Sequence, residues 1–199
     1  MSLTVLGVRH GEVHNPDNVI YSGLPGYGLS ELGRSQAADL GRAFQEAGVV
    51  ALYASPLDRA TQTAEAIGRA TDIEVVSDIR LHEWRHWAQW AGMTWDELRT
   101  RGREAWELYL SDPGSVTSGE SLAELGDRMA SWLADVRRDH DTGIVIGISH
   151  LEPLRAILLR LLGRPAGDLF AIEIGLGQVV RLAPDPDAAP VAATEFAVS

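Results

Sequence analysis

Leu3-Thr4-Val5-Leu6-Gly7-Val8 runs straight into Arg9-His10-Gly11-Glu12. The apolar run reads as a strand, and the turn cluster Asn15-Pro16-Asp17-Asn18 just beyond it cannot prolong one. An Arg-His pair past the C-terminal end of an early strand stands where open α/β sheets bind ligands. A guanidinium suits a phosphate because its planar fork donates two parallel hydrogen bonds to an oxyanion. An imidazole beside it suits nucleophilic or acid–base work. The competing reading makes His10 a plain polar residue at a strand end, and this stretch alone does not choose between them.

Outward from this strand, the chain alternates helix and strand patterns. Ser30 to Ala47 reads as a helix with Ser30 as N-cap, apolar spacing at Leu32, Ala37, Leu40 and Phe44, and a stop at Gly48. Val49 to Tyr53 reads as a strand, and a second helix starts near Pro56 and runs to about Ala70. Ile73 to Val76 is another short strand. A segment at about 79–112 differs in being rich in Trp, His and Arg, with a helical stretch from Thr94 to Leu110. Ser121 to Arg138 is helical, and Gly143 to Ile148 is an apolar, β-branched run of the kind buried on both faces. Leu154 to Leu162 reads as a helix after Pro153, and Leu169 to Ile174 with Gln178 to Leu182 as a closing hairpin. The remainder, about 184–199, is rich in Ala, Pro and Asp and reads as a loose tail. This order predicts an α/β fold: one domain over 1–199, with a mainly parallel central sheet, helices on both faces and a helical cap inserted at about 79–112.

Composition narrows the chemistry. None of the 199 residues is Cys, which excludes disulfides, thiol catalysis and thiolate zinc sites. A net charge of −11 argues against nucleic acid as the main partner. No basic segment leads into a long apolar run at the N-terminus, and no stretch reaches membrane-spanning length, so the expectation is a cytoplasmic chain without a membrane partner. There is no Lys, so all 17 basic residues are Arg, and their positions carry more information than their number.

Two more strand ends bear on His10. Ala54-Ser55-Pro56-Leu57-Asp58-Arg59 places an Arg in the first turn of a helix, against the preference of the helix dipole but with backbone N–H groups that favour an anion. The bland alternative is a surface Arg paired with Asp58 or Glu65. Gly147-Ile148-Ser149-His150 follows the most strongly patterned strand. Parallel strands share one C-terminal edge, so Arg9, His10, Arg59 and His150 are expected to converge there.

Taken together these blocks resemble the histidine phosphatase superfamily, which includes the cofactor-dependent phosphoglycerate mutases and many broad phosphatases. The resemblance rests on Arg9-His10-Gly11-Glu12, on Ser55-Pro56-Leu57 with Arg59, Ala60, Gln62, Thr63 and Ala64, on Leu29-Ser30 with Gly33 and Gln36-Ala37, and on Gly119-Glu120-Ser121 and Ser149-His150. It runs in order from about residue 4 to 182 and favours the broad phosphatase branch, with a phosphoglycerate mutase-like three-layer fold. Three departures stand out. The usual Asn is shifted by one to Asn15, Leu151-Glu152-Pro153 follows His150 where many members have Gly, and the spacer between Leu81-His82-Glu83 and Gly92-Met93-Thr94-Trp95 is long.

The resemblance implies a phosphatase that hydrolyses small phosphomonoesters through a phosphohistidine on His10. Arg9, Arg59 and a protonated His150 would hold the phosphoryl oxygens, and Glu83 would act as acid and then base, with Glu74 and Asp78 as its rivals. Burial and a nearby phosphate would raise the Glu83 pKa. His14, Asn15, Ser22, Gly23 and Leu151 are expected on the substrate side. Glu12 is read as structural or as a support for the pocket arginines. No cofactor and no metal are expected, although His82 and His86 have the i, i+4 spacing of a metal pair. Trp84, Trp87 and Trp90 are read as packing, with an aromatic wall over the pocket as the second reading. The expected partner is a small phosphorylated metabolite, and a homodimer is possible. The alternatives are a cofactor-dependent phosphoglycerate mutase and, after it, a non-catalytic phospho-ligand binder or phosphoprotein phosphatase.

Overall fold

In the computed structural model, which describes residues 2–182, β1 (Leu3–Arg9) pairs in parallel with β4 (Gly143–Ser149), so that Arg9 stands opposite Ser149. On the other side of β4 lies β2 (Val49–Ala54), also parallel, with Ala54 opposite Ile148. Beyond β2 comes β3 (Val75–Ser77), and β5 (Val179–Arg181) closes the far edge antiparallel to β1. The order is β3-β2-β4-β1-β5. The C-terminal ends of β1, β2 and β4 therefore meet at one edge, where β4 lies between two strands that precede it in the chain.

Side-chain alternation covers both faces of the sheet. Leu6, Val8, Ile146, Ile148 and Leu52 face α1 (Glu31–Phe44) and α2 (Asp58–Thr71). Val5 and Val145 face α5 (Leu122–Asp139) and α6 (Leu151–Leu161). Gly7 and Gly147 are register partners on this second face. A Cβ on Gly7 would lie 2.6 Å from a Leu154 methyl, and one on Gly147 2.5 Å from the Trp132 ring, so the paired glycines let both helices descend onto the sheet.

Between β3 and α5 the chain forms short pieces: 3-10 turns at Ile79–Leu81 and Arg85–Trp90, then α3 (Trp95–Arg101) and α4 (Arg103–Ser111). The single helix expected from Thr94 to Leu110 is thus two, divided at Gly102. A Cβ at Gly102 would press on Leu98 at 2.6 Å and on the Trp90 ring at 2.9 Å. This segment has its own apolar cluster, with Trp84, Trp87, Leu98 and Tyr109 packed on Leu122, Leu125, Ala156 and Leu169.

Two other boundaries differ from expectation. The sixth helix begins at Leu151 rather than after Pro153, because Pro153 falls in its first turn, where an N–H has no intrahelical acceptor and its absence costs no hydrogen bond. The closing hairpin does not form. Ala166–Ala171 is a 3-10 turn whose Leu169 and Phe170 pack into the aromatic cluster, while β5 spends its hydrogen bonds on β1. The tail at 184–199 lies outside the described residues. Among the described residues, no helix is long and apolar enough to cross a membrane.

Candidate active site

At the shared strand edge His10 follows β1, Ser55 follows β2 and His150 follows β4. His10 is 2% exposed, and its Nδ1 lies 2.7 Å from the Gly11 carbonyl. A carbonyl only accepts, so Nδ1 carries the ring proton and Nε2 keeps its lone pair. Nε2 receives the Arg59 Nε–H at 3.2 Å. Burial, then the Arg59 charge, hold His10 well below the usual imidazole range, so it is neutral at pH 7.

The loop that carries His10 is fixed from below. The Gly11 N–H donates to Thr63 Oγ1 at 3.2 Å, and the Glu12 N–H to Gln36 Oε1 at 2.8 Å. The Ser30 hydroxyl donates to the Glu12 carboxylate and caps α1 through the Gly33 N–H. Gly33 lies so close beneath Glu12 that a Cβ there would overlap its carbonyl oxygen. Glu12 therefore ties the loop to α1, and among the described residues no hydrogen bond or ion pair joins it to Arg9 or Arg59.

Arg59 is 1% exposed, which removes the surface reading. Its Nη2 donates to the Ser22 carbonyl at 2.8 Å, and its guanidinium lies 4.7 Å from the centre of the Tyr21 ring. Ser22 holds φ at +26°, unusual for a residue with a side chain, and this turns its carbonyl toward Arg59. Arg9 Nη1 donates to the Ile174 carbonyl at 2.7 Å. His150 places Nε2 2.8 Å from Ser55 Oγ, and its ring stands edge-on to His10 at 5.1 Å. Among the described residues, the buried Arg9 Nε and His150 Nδ1 have no hydrogen-bond partner. Arg9, His10, Arg59 and His150 are thus brought together as a cationic floor with donors to spare, which suits a tetrahedral oxyanion. One expectation needs correction. Burial and then Arg59 hold His150 well below the usual imidazole range, so the free site contains a neutral rather than a protonated His150.

Glu83 faces this floor from the segment above. Its Oε1 accepts the Trp84 N–H at 2.8 Å, and its Oε2 is 3.8 Å from His150 Nδ1. Its pKa is pushed up to about 7, first by burial and second by the charge of Glu152, with Arg59 opposing. The expectation held burial but not Glu152. Asp78, one rival, is spoken for by Arg80, whose Nη2 meets it at 2.7 Å. Three residues without an assigned role hold the Glu83 loop. Ser149 Oγ donates to the Leu81 carbonyl at 2.7 Å, and Arg128 Nη1 donates to the Arg80 and His82 carbonyls at 2.6 and 2.9 Å. Arg128 is held in turn by Glu120, at 2.7 Å.

A cavity of about 530 Å³ opens above the floor. Arg9, His10, Asn15, Ser22, Glu83 and Leu151 line it. The Asn15 side chain is folded back on Val19, donating to its carbonyl at 2.9 Å and accepting its N–H at 3.1 Å. His14 and Gly23 are exposed and do not line the cavity, and Gly23 lies beside the His82 ring. His82 and His86 do not face each other. The first contacts the Glu83 carbonyl at 3.0 Å and the second Ser118 Oγ at 2.8 Å. Of the three Trp residues read as packing or wall, Trp84 is wholly buried and Trp90 packs on the aromatic cluster without lining the cavity, whereas Trp87 lines it, joined there by Trp95 and Trp106. Tyr109 and Glu152 also line it, and sequence reasoning missed both. The signal in reach was Glu152 beside His150 where the resemblance led one to expect Gly.

Comparison with known proteins gives the same setting. The model of the histidine phosphatase superfamily (branch 1) matches residues 5–195. Phosphoserine phosphatase 1 of Hydrogenobacter thermophilus is 34% identical over 158 residues, covering 78% of this chain and 74% of its own. Bacillus stearothermophilus YhfR superposes with a TM-score of 0.86 at 25% identity, over 100% of this chain and 98% of that one. A mycobacterial glucosyl-3-phosphoglycerate phosphatase shares the fold, with a TM-score of 0.80 at 23% identity over 91% of this chain and 90% of that one.

Proposed function

Starting from a chain that belongs to the histidine phosphatase superfamily (branch 1), we propose that it hydrolyses small phosphate monoesters through a phosphohistidine on His10. One observation carries the reading. The unprotonated Nε2 of His10, which accepts only the Arg59 Nε–H, stands among Arg9, Arg59 and His150, beneath a carboxyl whose pKa is pushed up to about 7. A phosphoserine phosphatase among its relatives supports the reaction class. The partner in this reading is a small phosphorylated metabolite met in the cytoplasm.

In the first half-reaction His10 Nε2 attacks phosphorus in line, the P–N bond forms and the ester P–O bond breaks. Glu83 gives its proton to the departing alkoxide, which leaves as the neutral alcohol. Arg9 and Arg59 hold the equatorial oxygens, and His150 offers the remaining donor. In the second half-reaction the ionised Glu83 takes a proton from water as that water attacks phosphorus. The P–N bond breaks, inorganic phosphate leaves, and both His10 and Glu83 return to their starting states. A carboxyl near neutrality serves both directions, because neither its protonated nor its ionised form is scarce.

The test is release of phosphate from p-nitrophenyl phosphate with EDTA present, in the wild type and in His10→Ala. Turnover in the wild type, an acid-labile phosphoprotein on quenching, and neither in the variant is the expected result. Turnover that survives His10→Ala overturns the assignment. The mutase alternative passes the phosphoryl group to a second substrate hydroxyl. It predicts conversion of 3- to 2-phosphoglycerate faster than phosphate release, with stimulation by 2,3-bisphosphoglycerate.

A further inference from the structure

Beyond the phosphate floor the cavity has a far wall that the reaction scheme leaves unused. Trp87, Trp95, Trp106, Tyr109 and Phe170 line it. Their rings touch in series: 5.7 Å between the centres of Trp87 and Trp95, 5.9 Å from Trp95 to Trp106, 5.7 Å from Trp106 to Tyr109 and 5.0 Å from Tyr109 to Phe170. Trp95, Trp106 and Phe170 are only half-buried. Folding alone favours burying rings of that size. Aromatic surface held open around a concavity is how small-molecule pockets are lined.

The polar groups on this wall are as specific as the rings. Glu152 Oε1 accepts the Tyr109 hydroxyl at 3.1 Å and lies 3.5 Å from Arg155 Nη1. Arg155 Nε donates to the Ile172 carbonyl at 2.8 Å, which fixes the guanidinium plane. A carboxylate acceptor and a guanidinium donor therefore stand side by side next to a stacking surface, as the edge of a nitrogen heterocycle requires.

Volume and charge limit what fits. About 530 Å³ lies in the range of pockets that take drug-sized ligands, so a three-carbon alcohol would leave most of the aromatic wall wet. Apart from Arg9 at the floor and Glu83, which is protonated when the ester is cleaved, the charged lining is Glu12 and Glu152 against Arg155 alone. A leaving group with its own carboxylate meets more repulsion than attraction there.

On the phosphatase reading above, we propose that this wall selects phosphate monoesters of neutral alcohols that carry a planar nitrogen heterocycle, of the nucleoside 5′-monophosphate kind. The ring stacks on Trp95 and Trp106, and its donor–acceptor edge meets Glu152 and Arg155. These esters differ in leaving group from the phosphoserine of the relative's name.

The experiment compares kcat/KM for adenosine 5′-monophosphate, O-phosphoserine, glycerol 3-phosphate and decyl phosphate. The nucleotide is expected to lead each of the others by about tenfold, the worth of one to two good ring contacts. In Trp106→Leu, which keeps apolar bulk, the ratio of nucleotide to glycerol 3-phosphate should fall by about threefold or more, mainly through KM. Phosphoserine equal to or ahead of the nucleotide overturns the proposal, as does decyl phosphate in front or a ratio that Trp106→Leu leaves unmoved. Calorimetric binding of the same ligands to His10→Ala separates the two readings. If the wild type hydrolyses none of the four yet the variant still binds the nucleotide tightest, the phosphatase reading fails and the subsite stands. If turnover occurs with the binding order reversed, the subsite alone falls.

Discussion

Every side chain on the floor of the cavity hangs from the end of a parallel strand or from the first turn of the helix behind it. The wall above is built from 3-10 turns and two helices of seven and nine residues, with Glu152 and Arg155 reaching in from α6. Floor residues are placed by backbone register, with Arg9 opposite Ser149 and Ala54 opposite Ile148, and they grip one another through Arg59, Thr63 and Ser55. Wall residues are placed by ring contacts and by one arginine clamp beneath the Glu83 loop. A register-built floor fixes one geometry for the group all substrates share. A packed aromatic wall can be re-cut at little cost to the sheet, which is where a difference in leaving group belongs.

Glu83 stands at the junction and gives the largest expected effect on this contrast. Glu83→Gln keeps the shape and removes the proton, and kcat/KM for alkyl phosphates should fall by about 10²–10⁴-fold. The loss should be far smaller for p-nitrophenyl phosphate, whose leaving group departs unaided. Equal losses for both esters would take the acid role from Glu83. Next in size is Arg59→Lys, which keeps a charge but loses the fork that meets His10, Ser22 and Tyr21 together. It should cost about 10²–10³-fold in kcat, and by the same factor for every ester. A loss that varied with the leaving group would break the division between floor and wall.

That division also governs what the sequence discloses. The floor was legible because each residue sits next to a strand end, and strand ends can be read from apolar runs such as Leu3–Val8 and Gly143–Ile148. The wall was not, since ring contacts between Trp87, Trp95, Trp106 and Tyr109 depend on helix breaks that spacing does not announce. The Thr94–Leu110 pattern looks continuous until the Trp90 ring against Gly102 divides it. The hairpin expected at Leu169–Leu182 failed for a related reason. Leu169 and Phe170 have strand-like character, but the aromatic cluster needs them more than the sheet does. Glu152 and Arg128 were missed because each acts on Glu83 through space, one by its charge and the other by holding carbonyls 46 and 48 residues away.

Arg128 offers a smaller and sharper test. Arg128→Met removes both donors to the loop and leaves buried Glu120 without its ion pair, which should cost about 3 kcal/mol of stability. Adding Glu120→Gln removes the unpaired charge and should restore much of the melting temperature. If Arg128 positions Glu83, the double variant still turns over alkyl phosphates about tenfold more slowly, while p-nitrophenyl phosphate is nearly spared. Recovery of alkyl phosphate turnover along with stability would reduce Arg128 to a structural pair.

The smallest expected effect is a displaced pH profile. Glu83 holds its proton up to about pH 7 because burial, then Glu152, oppose its charge. In the proposed mechanism the first half-reaction needs that proton, so kcat/KM should fall as pH rises through about 7. Neutralising Glu152 removes the second cause and leaves the first, so Glu152→Gln should move the alkaline limb to lower pH, without reaching the ordinary carboxylate value of 4.5. Substrate ionisation is common to both proteins and cancels in the comparison. Stability supplies an independent reading with the same sign. Between pH 4.5 and about 7 the folded protein retains a proton that the unfolded chain has lost, so this group's contribution declines as pH rises through that window. Urea denaturation at pH 5 and pH 8 should therefore show a smaller decline for Glu152→Gln than for the wild type. An unmoved alkaline limb together with an unchanged stability difference would mean that Glu152 belongs to the wall alone and has no hold on the floor's acid.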